Sequence, residues 1–196
     1  MVRTAARRTQ RMGPTPEQLY ERMLVTRCQT GDERAFVELV ERYQPRLAYF
    51  VLKLLGSARV EDVMQDVWLD VLRGLPALRD AGAFPAWVFR IARDRAYREL
   101  RRAGAVPTIV AIDVDAAVVD DASQDDGFDE HDVALVHTCL DELSSQHREV
   151  LVLRFLQQMS YEDIAAVAGC DIGTVRSRLH YAKAALRKAM ERKRST

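Results

Sequence analysis

Glycine-rich phosphate loops, clustered metal ligands and a paired nucleophile and base are all missing from this 196-residue chain. Their absence removes the usual routes to bond chemistry. The four histidines, His131, His137, His147 and His180, fall in separate segments, and His137 with Cys139 makes only an isolated His-x-Cys, far short of a zinc ligand set. Cys28, Cys139 and Cys170 are odd in number and form no Cys-x-x-Cys, which argues for reduced thiols in a cytoplasm. No run approaches the roughly 18 apolar residues that a membrane span needs. The start, Met1 to Gly13, is basic without an apolar stretch behind it, so it does not read as a secretory signal. Aromatics are scarce at 7% while 48% of residues are hydrophobic, a balance that suits helices with modest cores. No catalytic residue, metal, cofactor, small-molecule substrate or membrane insertion is therefore expected.

What the chain does have is segregated charge. Its 29 basic and 29 acidic side chains cancel in sum but not in place. Residues 113 to 132 carry Asp113, Asp115, Asp120, Asp121, Asp125, Asp126, Asp129, Glu130 and Asp132 with no lysine or arginine. Between 90 and 102 lie six arginines, and from 172 onward eight basic residues face Glu191 alone. Two basic helical stretches around an acidic connector describe two nucleic-acid contacts on one chain.

The helical signals divide the chain in the same way. Pro16 can open a helix through Leu24, and Asp32 can cap another through Ala35, Phe36, Leu39, Val40 and Tyr43, which Pro45 then breaks or kinks. Leu47 to Leu55 continues helically to Gly56. The clearest helix has Val60, Val63, Met64, Val67, Trp68, Val71, Leu72 and Leu75 on an apolar face, opposite a polar stripe of Asp62, Gln65, Asp66 and Asp70. A basic helix follows from Phe84 to Arg102. No segment alternates at period two, so no sheet is expected. Residues 104 to 132 carry loop signals and read as a linker. The predicted fold is all-α: a basic extension over 1–17, helical domains over 18–103 and 133–192, and the acidic linker between them.

The second domain ends in a helix-turn-helix pattern. Ser160 can cap a first short helix with Asp163 in a capping-box position, Gly169 can take the positive φ that ends it, and Asp171 is placed to cap a second. Ile164, Ala165 and Ala168 then face Ile172, Val175, Leu179, Ala182 and Leu186. At about 100° per residue, Gly173, Ser177, His180 and Ala184 point away from that core, with Thr174 and Tyr181 beside them and Arg176 and Arg178 on opposite flanks. Small hydrogen-bonding groups edged by arginines suit a helix laid in a major groove.

Three strings carry a family resemblance: Gly31-Asp-Glu-Arg-Ala-Phe36, Glu61-Asp-Val-Met-Gln-Asp-Val-Trp68 and Ala83-Phe-Pro-Ala-Trp-Val-Phe-Arg-Ile-Ala-Arg93. They resemble region 2 of the bacterial sigma-70 family. Leu140 to Met190, with His147-Arg-Glu-Val-Leu-Val-Leu-Arg154 ahead of the helix-turn-helix, resembles region 4. Both blocks in order, with a short linker and no region 3, resemble the extracytoplasmic-function sigma factors. The resemblance implies core RNA polymerase and promoter DNA as partners and leaves room for an anti-sigma factor. It implies that Asp62, Gln65, Asp66 and Asp70 dock on the largest polymerase subunit, although a solvated face would have the same composition. It gives −10 contact and melting to Trp87, Arg90, Asp94, Arg98 and Arg101, and −35 recognition to Gly173, Thr174, Arg176, Ser177, Arg178, His180 and Tyr181. Trp87 is either a base-stacking platform or, by its spacing with Phe84, Val88 and Ile91, a core residue. Asp94 stands where the family mostly has asparagine, and it either meets a base or pairs with Arg90 or Arg98. The acidic linker is either an occupant of a positive channel or a spacer.

A stand-alone helix-turn-helix regulator would account for residues 140 to 192 but would leave the helices of 60 to 102 without a purpose. An adaptor protein would not carry the DNA-facing helix.

Overall fold

The computed structural model describes residues 13–56, 59–104 and 133–195. Among them every regular element is helical. The first region holds α1 (Pro16–Gln29), α2 (Glu33–Leu55), α3 (Val60–Gly74) and α4 (Phe84–Arg102). The second holds α5 (Val133–Leu140), α6 (Ser145–Leu151), α7 (Tyr161–Ala168) and α8 (Ile172–Arg194). Nearly all of the predicted acidic linker lies outside the described residues.

Local chemistry sets most boundaries. Thr15 caps α1 in a full capping box with Gln18, and Pro16 fills the first helical position, where its missing N–H costs nothing. The helix then runs five residues past the predicted Leu24, to Gln29. Asp32 caps α2, its carboxylate accepting from the backbone N–H of Arg34 at 3.0 Å and Ala35 at 3.1 Å. Of the break or kink expected at Pro45, the break does not occur: α2 runs through the proline to Leu55. Pro45 faces solvent, as does Glu41, whose carbonyl loses its intrahelical donor and can turn to water. Meanwhile Leu39, Tyr43, Leu47, Phe50, Val51 and Leu54 anchor the helix on both sides of the proline.

The first core forms around Phe50, Phe84 and Phe89, all fully buried, with Phe50 and Phe89 edge-to-face at 5.3 Å and Tyr43 on Phe84 at 5.1 Å. Each such side chain contributes about 1.5–3 kcal/mol by leaving water. Trp87 is half-buried, 6.0 Å from the Phe84 ring, with its indole against the end of α3. A Cβ at Gly74 would lie 2.8 Å from the Trp87 ring atom Cζ2. Gly74→Ala should therefore cost about 1–3 kcal/mol through overpacking, visible as a lower melting temperature and altered tryptophan fluorescence. An unchanged melt would mean that the indole moves aside freely.

In the second region, α6 passes into a π-turn over Val152–Leu156 before reversing into α7. Ser160 caps α7, accepting from the Asp163 N–H at 3.0 Å, while its hydroxyl donates to the Asp163 carboxylate at 2.8 Å. Gly169 closes α7 at φ +63°, the left-handed conformation that a glycine adopts without a Cβ penalty. Asp171 occupies the N-cap position of α8 with extended backbone, but its side chain makes no capping bond. The helix after the turn is not short: α8 spans 23 residues.

The two regions are packed together. α2 meets α6, α4 meets α7, and their buried residues form one continuous apolar cluster.

Candidate nucleic-acid interface

The turn chemistry at Gly169 and Asp171 brings α8 across α7 with Val175, Leu179, Ala182 and Leu186 buried as expected. Ile172 departs from that pattern: as the first residue of α8 it is 36% exposed. On the opposite face Gly173, Arg176, His180 and Tyr181 are exposed, and the rings of His180 and Tyr181 meet edge-to-face at 5.4 Å. Thr174 and Ser177 are half-buried beside them, the Ser177 hydroxyl donating to the Thr174 carbonyl at 3.0 Å. A Cβ at Gly173 would meet nothing within 4 Å, so packing within the chain does not demand a glycine there. Arg178 differs from Arg176: its Nη1 turns inward, 3.8 Å from the Cys170 sulfur, and its Nε is buried without a partner. Burial and this cation together push the His147 imidazole below its ordinary pKa.

On α4, the expected ridge of Arg90, Asp94, Arg98 and Arg101 is exposed along one side. Asp94 is paired with neither Arg90 nor Arg98; the carboxylate lies 3.5 Å from Arg93 Nη1 instead. Arg93, Asp94, Tyr97, Arg98 and Arg101, with Gln146 of the second region, line a polar cavity of about 400 Å³. Five N–H donors per guanidinium make such a surface a ready holder of phosphate oxygens.

The polar stripe of α3 splits in two. Asp66 and Asp70 both bind Arg95 of α4, at 2.9 and 2.6 Å. Asp62 and Gln65 are exposed, as is Asp66 despite its ion pair, and Asp62 lies 3.6 Å from Arg59 Nε. Two apolar residues are exposed as well: Leu69 at 47% and Leu72 at 55%, the latter expected in the core. At about 100° per residue, Leu69 falls between Gln65 and Asp62, in the middle of the stripe, a position that a helical wheel reveals and a search for polar residues passes over. Beside them a groove of about 790 Å³ between α2 and α3 is lined by Phe36, Val40, Met64 and Trp68. An apolar centre inside a polar rim is the anatomy of a protein-docking surface.

Comparison with known proteins follows the same division. A family model described as Sigma-70 region 2 matches residues 39–106, and one for Sigma-70, region 4 matches residues 134–186. The ECF RNA polymerase sigma-E factor of Escherichia coli strain K12 is 34% identical over 181 residues, covering 87% of this chain and 94% of that protein. The chain belongs to the ECF RNA polymerase sigma factors. RNA polymerase sigma-H factor of Pseudomonas aeruginosa is similar at 35% identity over 181 residues, again covering 87% of this sigma factor and 94% of the relative. Among solved structures, CnrH in complex with the cytosolic domain of CnrY matches with TM-score 0.63 and 27% identity, covering 87% of this chain and 97% of CnrH. The sigma factor RpoE of Bartonella quintana, bound to the anti-sigma factor NepR, matches with TM-score 0.61 and 26% identity, covering 80% and 96%. Factors of this family direct promoter-specific transcription initiation, and the helix-turn-helix of region 4 fits that role. Among the described residues of this sigma factor no helix is long and apolar enough to cross a membrane, and no cluster of metal ligands occurs.

Proposed function

We propose that this sigma factor binds core RNA polymerase through the exposed face of α3, engages −10 DNA with the arginine ridge of α4, and reads −35 DNA with the first turns of α8. It acts in the cytoplasm and directs initiation without bond chemistry of its own. The observation that carries this reading is the pair of outward-facing basic surfaces on separate regions, beside an exposed Leu69 set among polar residues. The space around Gly173 supports close approach of a DNA backbone there. Both solved relatives named above are complexes, one with the cytosolic domain of CnrY and one with the anti-sigma factor NepR. An anti-sigma partner is part of the proposal. Run-off transcription with core polymerase on a random promoter library tests it: a two-part consensus with fixed spacing is expected, and transcription no greater than core alone would refute it.

Asp94 offers a finer test. An ionised aspartate only accepts hydrogen bonds, so contact with an unstacked base favours an amino donor such as cytosine N4 or adenine N6. Half of the Asp94 side chain is open, 54%, and its 3.5 Å approach to Arg93 is a loose one. Asp94→Asn should therefore shift base preference at one −10 position in the same selection. An unchanged consensus with uniformly altered activity would assign Asp94 to orienting arginine instead.

A further inference from the structure

The cavity along the C-terminal half of α4 holds more positive charge than the fold neutralises. Glu149 of α6 has no exposed surface, and both of its oxygens are engaged by α4. Arg93 Nε donates to one, and the Tyr97 hydroxyl donates to the other at 2.8 Å. The Arg93 guanidinium also lies 4.7 Å from the centre of the Tyr97 ring. The charge of Arg93 is thus answered and its position fixed. Arg102 has Glu99 at 3.8 Å, whereas Arg98 and Arg101 have no carboxylate partner among the described residues. Both are exposed and stand one helical turn apart, so their charges repel each other, and an anion between them would relieve that repulsion. Asp94 and Gln146 of α6 complete the lining.

We propose that this cavity is a binding site for a nucleoside diphosphate, with guanine as the preferred base. Its volume of about 400 Å³ falls within the roughly 300–1,000 Å³ of small-ligand sites. A polar lining with two unpaired guanidiniums suits an anion, and each guanidinium can grip phosphate oxygens with a pair of N–H donors. Two such forks on one helical turn suit two linked phosphates better than one. Asp94 sets the other end of the ligand. Its side chain is 54% open, and an ionised carboxylate only accepts hydrogen bonds. Guanine alone of the common bases presents two neighbouring donors, N1–H and the N2 amino group, to a pair of carboxylate oxygens. From Asp94 to Arg98 and to Arg101 the helix rises about 6 and 10.5 Å, a span that matches the reach from the edge of a nucleobase to its second phosphate. Gln146 adds a donor and an acceptor from the second region. No −10 strand needs Gln146, which separates this site from the ridge that it overlaps. A bound nucleotide withholds Arg98 and Arg101 from −10 DNA; that consequence, though not the binding itself, rests on the functional reading above.

Calorimetric titration of the full chain with guanosine diphosphate tests the site. One nucleotide should bind per chain. Uridine diphosphate and pyrophosphate lack the paired donors and should bind about tenfold or more weakly, and guanosine, without phosphate, should not bind. Gln146→Glu adds a carboxylate inside the cavity, and Arg98→Ala removes a cation from an exposed position. Each should lower the affinity for guanosine diphosphate by about tenfold or more, with circular dichroism showing that the helices persist. Asp94→Asn should bring guanosine and uridine diphosphates together in affinity. No binding by wild type, equal binding of all three phosphates, or binding that Gln146→Glu leaves intact would overturn the proposal. Core polymerase with promoter DNA should release fluorescent guanosine diphosphate from the loaded chain, read by anisotropy against core alone. Retention of the nucleotide in the promoter complex would overturn the shared use of Arg98 and Arg101. A chain that binds as described but never supports initiation with core polymerase leaves the nucleotide site standing and removes the sigma reading.

Discussion

Leu69→Arg should abolish co-purification with core RNA polymerase, a loss of about 2–4 kcal/mol of binding or roughly 30- to 1,000-fold, while the helical fold persists. Leu69 is 47% exposed, so the substitution empties no cavity and the expected stability change is within about ±0.5 kcal/mol. It would place a desolvated cation at the centre of a surface whose rim already holds Asp62 and Gln65. Size-exclusion chromatography of mixtures with core enzyme reads the result directly. Asp66→Arg tests the same face less cleanly, because Asp66 already binds Arg95 at 2.9 Å and the new arginine would face that cation. Its loss of binding would mix a broken α3–α4 ion pair with a lost interface. Undiminished retention of core by a folded Leu69→Arg variant would remove this face from the proposal.

Arg176→Ala should weaken holoenzyme binding to −35 DNA by about 1–3 kcal/mol if its guanidinium meets a base edge in two places. If it holds a phosphate, all sequences weaken alike and the salt dependence flattens by about one counterion. Arg178→Ala should behave differently. Its guanidinium is turned toward Cys170, inside the α7–α8 corner, so the expected change is in the stability of that corner and not in sequence preference. Titrations against promoter variants at two salt concentrations distinguish the pair. Equal losses of specificity for both would mean that Arg178 swings out to the groove when DNA arrives.

That asymmetry marks where sequence reasoning stopped. Helical periodicity placed Val175, Leu179, Ala182 and Leu186 in the core correctly, because burial in an amphipathic helix follows a fixed angle per residue. The same angle put Arg176 and Arg178 symmetrically on two flanks and had no means of knowing that one flank meets the α7 turn. Caps at Thr15, Asp32 and Ser160 are local chemistry, and those at Asp32 and Ser160 were legible three residues at a time. Of the two outcomes expected at Pro45, the break is absent because six buried anchors hold α2 together on both sides of it. Glu149 was invisible for a deeper reason. Its partners Arg93 and Tyr97 lie 56 and 52 residues away in sequence, and no periodicity connects charges across two domains. The resemblance supplied what periodicity lacked in assigning roles, but it did not single out Leu69.

The length of α8 turns region 4 into a pointer. From Arg176 near its tip to Met190 near its base the helix runs about 21 Å at 1.5 Å per residue. The base is clamped: Leu186, Ala189 and Met190 are buried, and Arg192 and Lys193 hold Glu142 at 2.9 and 3.0 Å. A tilt of about 10° imposed on that clamp sweeps the tip through about 4 Å, slightly more than the rise of one base pair. If Arg176 meets a base edge, substitutions around Met190 would shift which base it meets, and whatever grips the base of this helix also aims its tip.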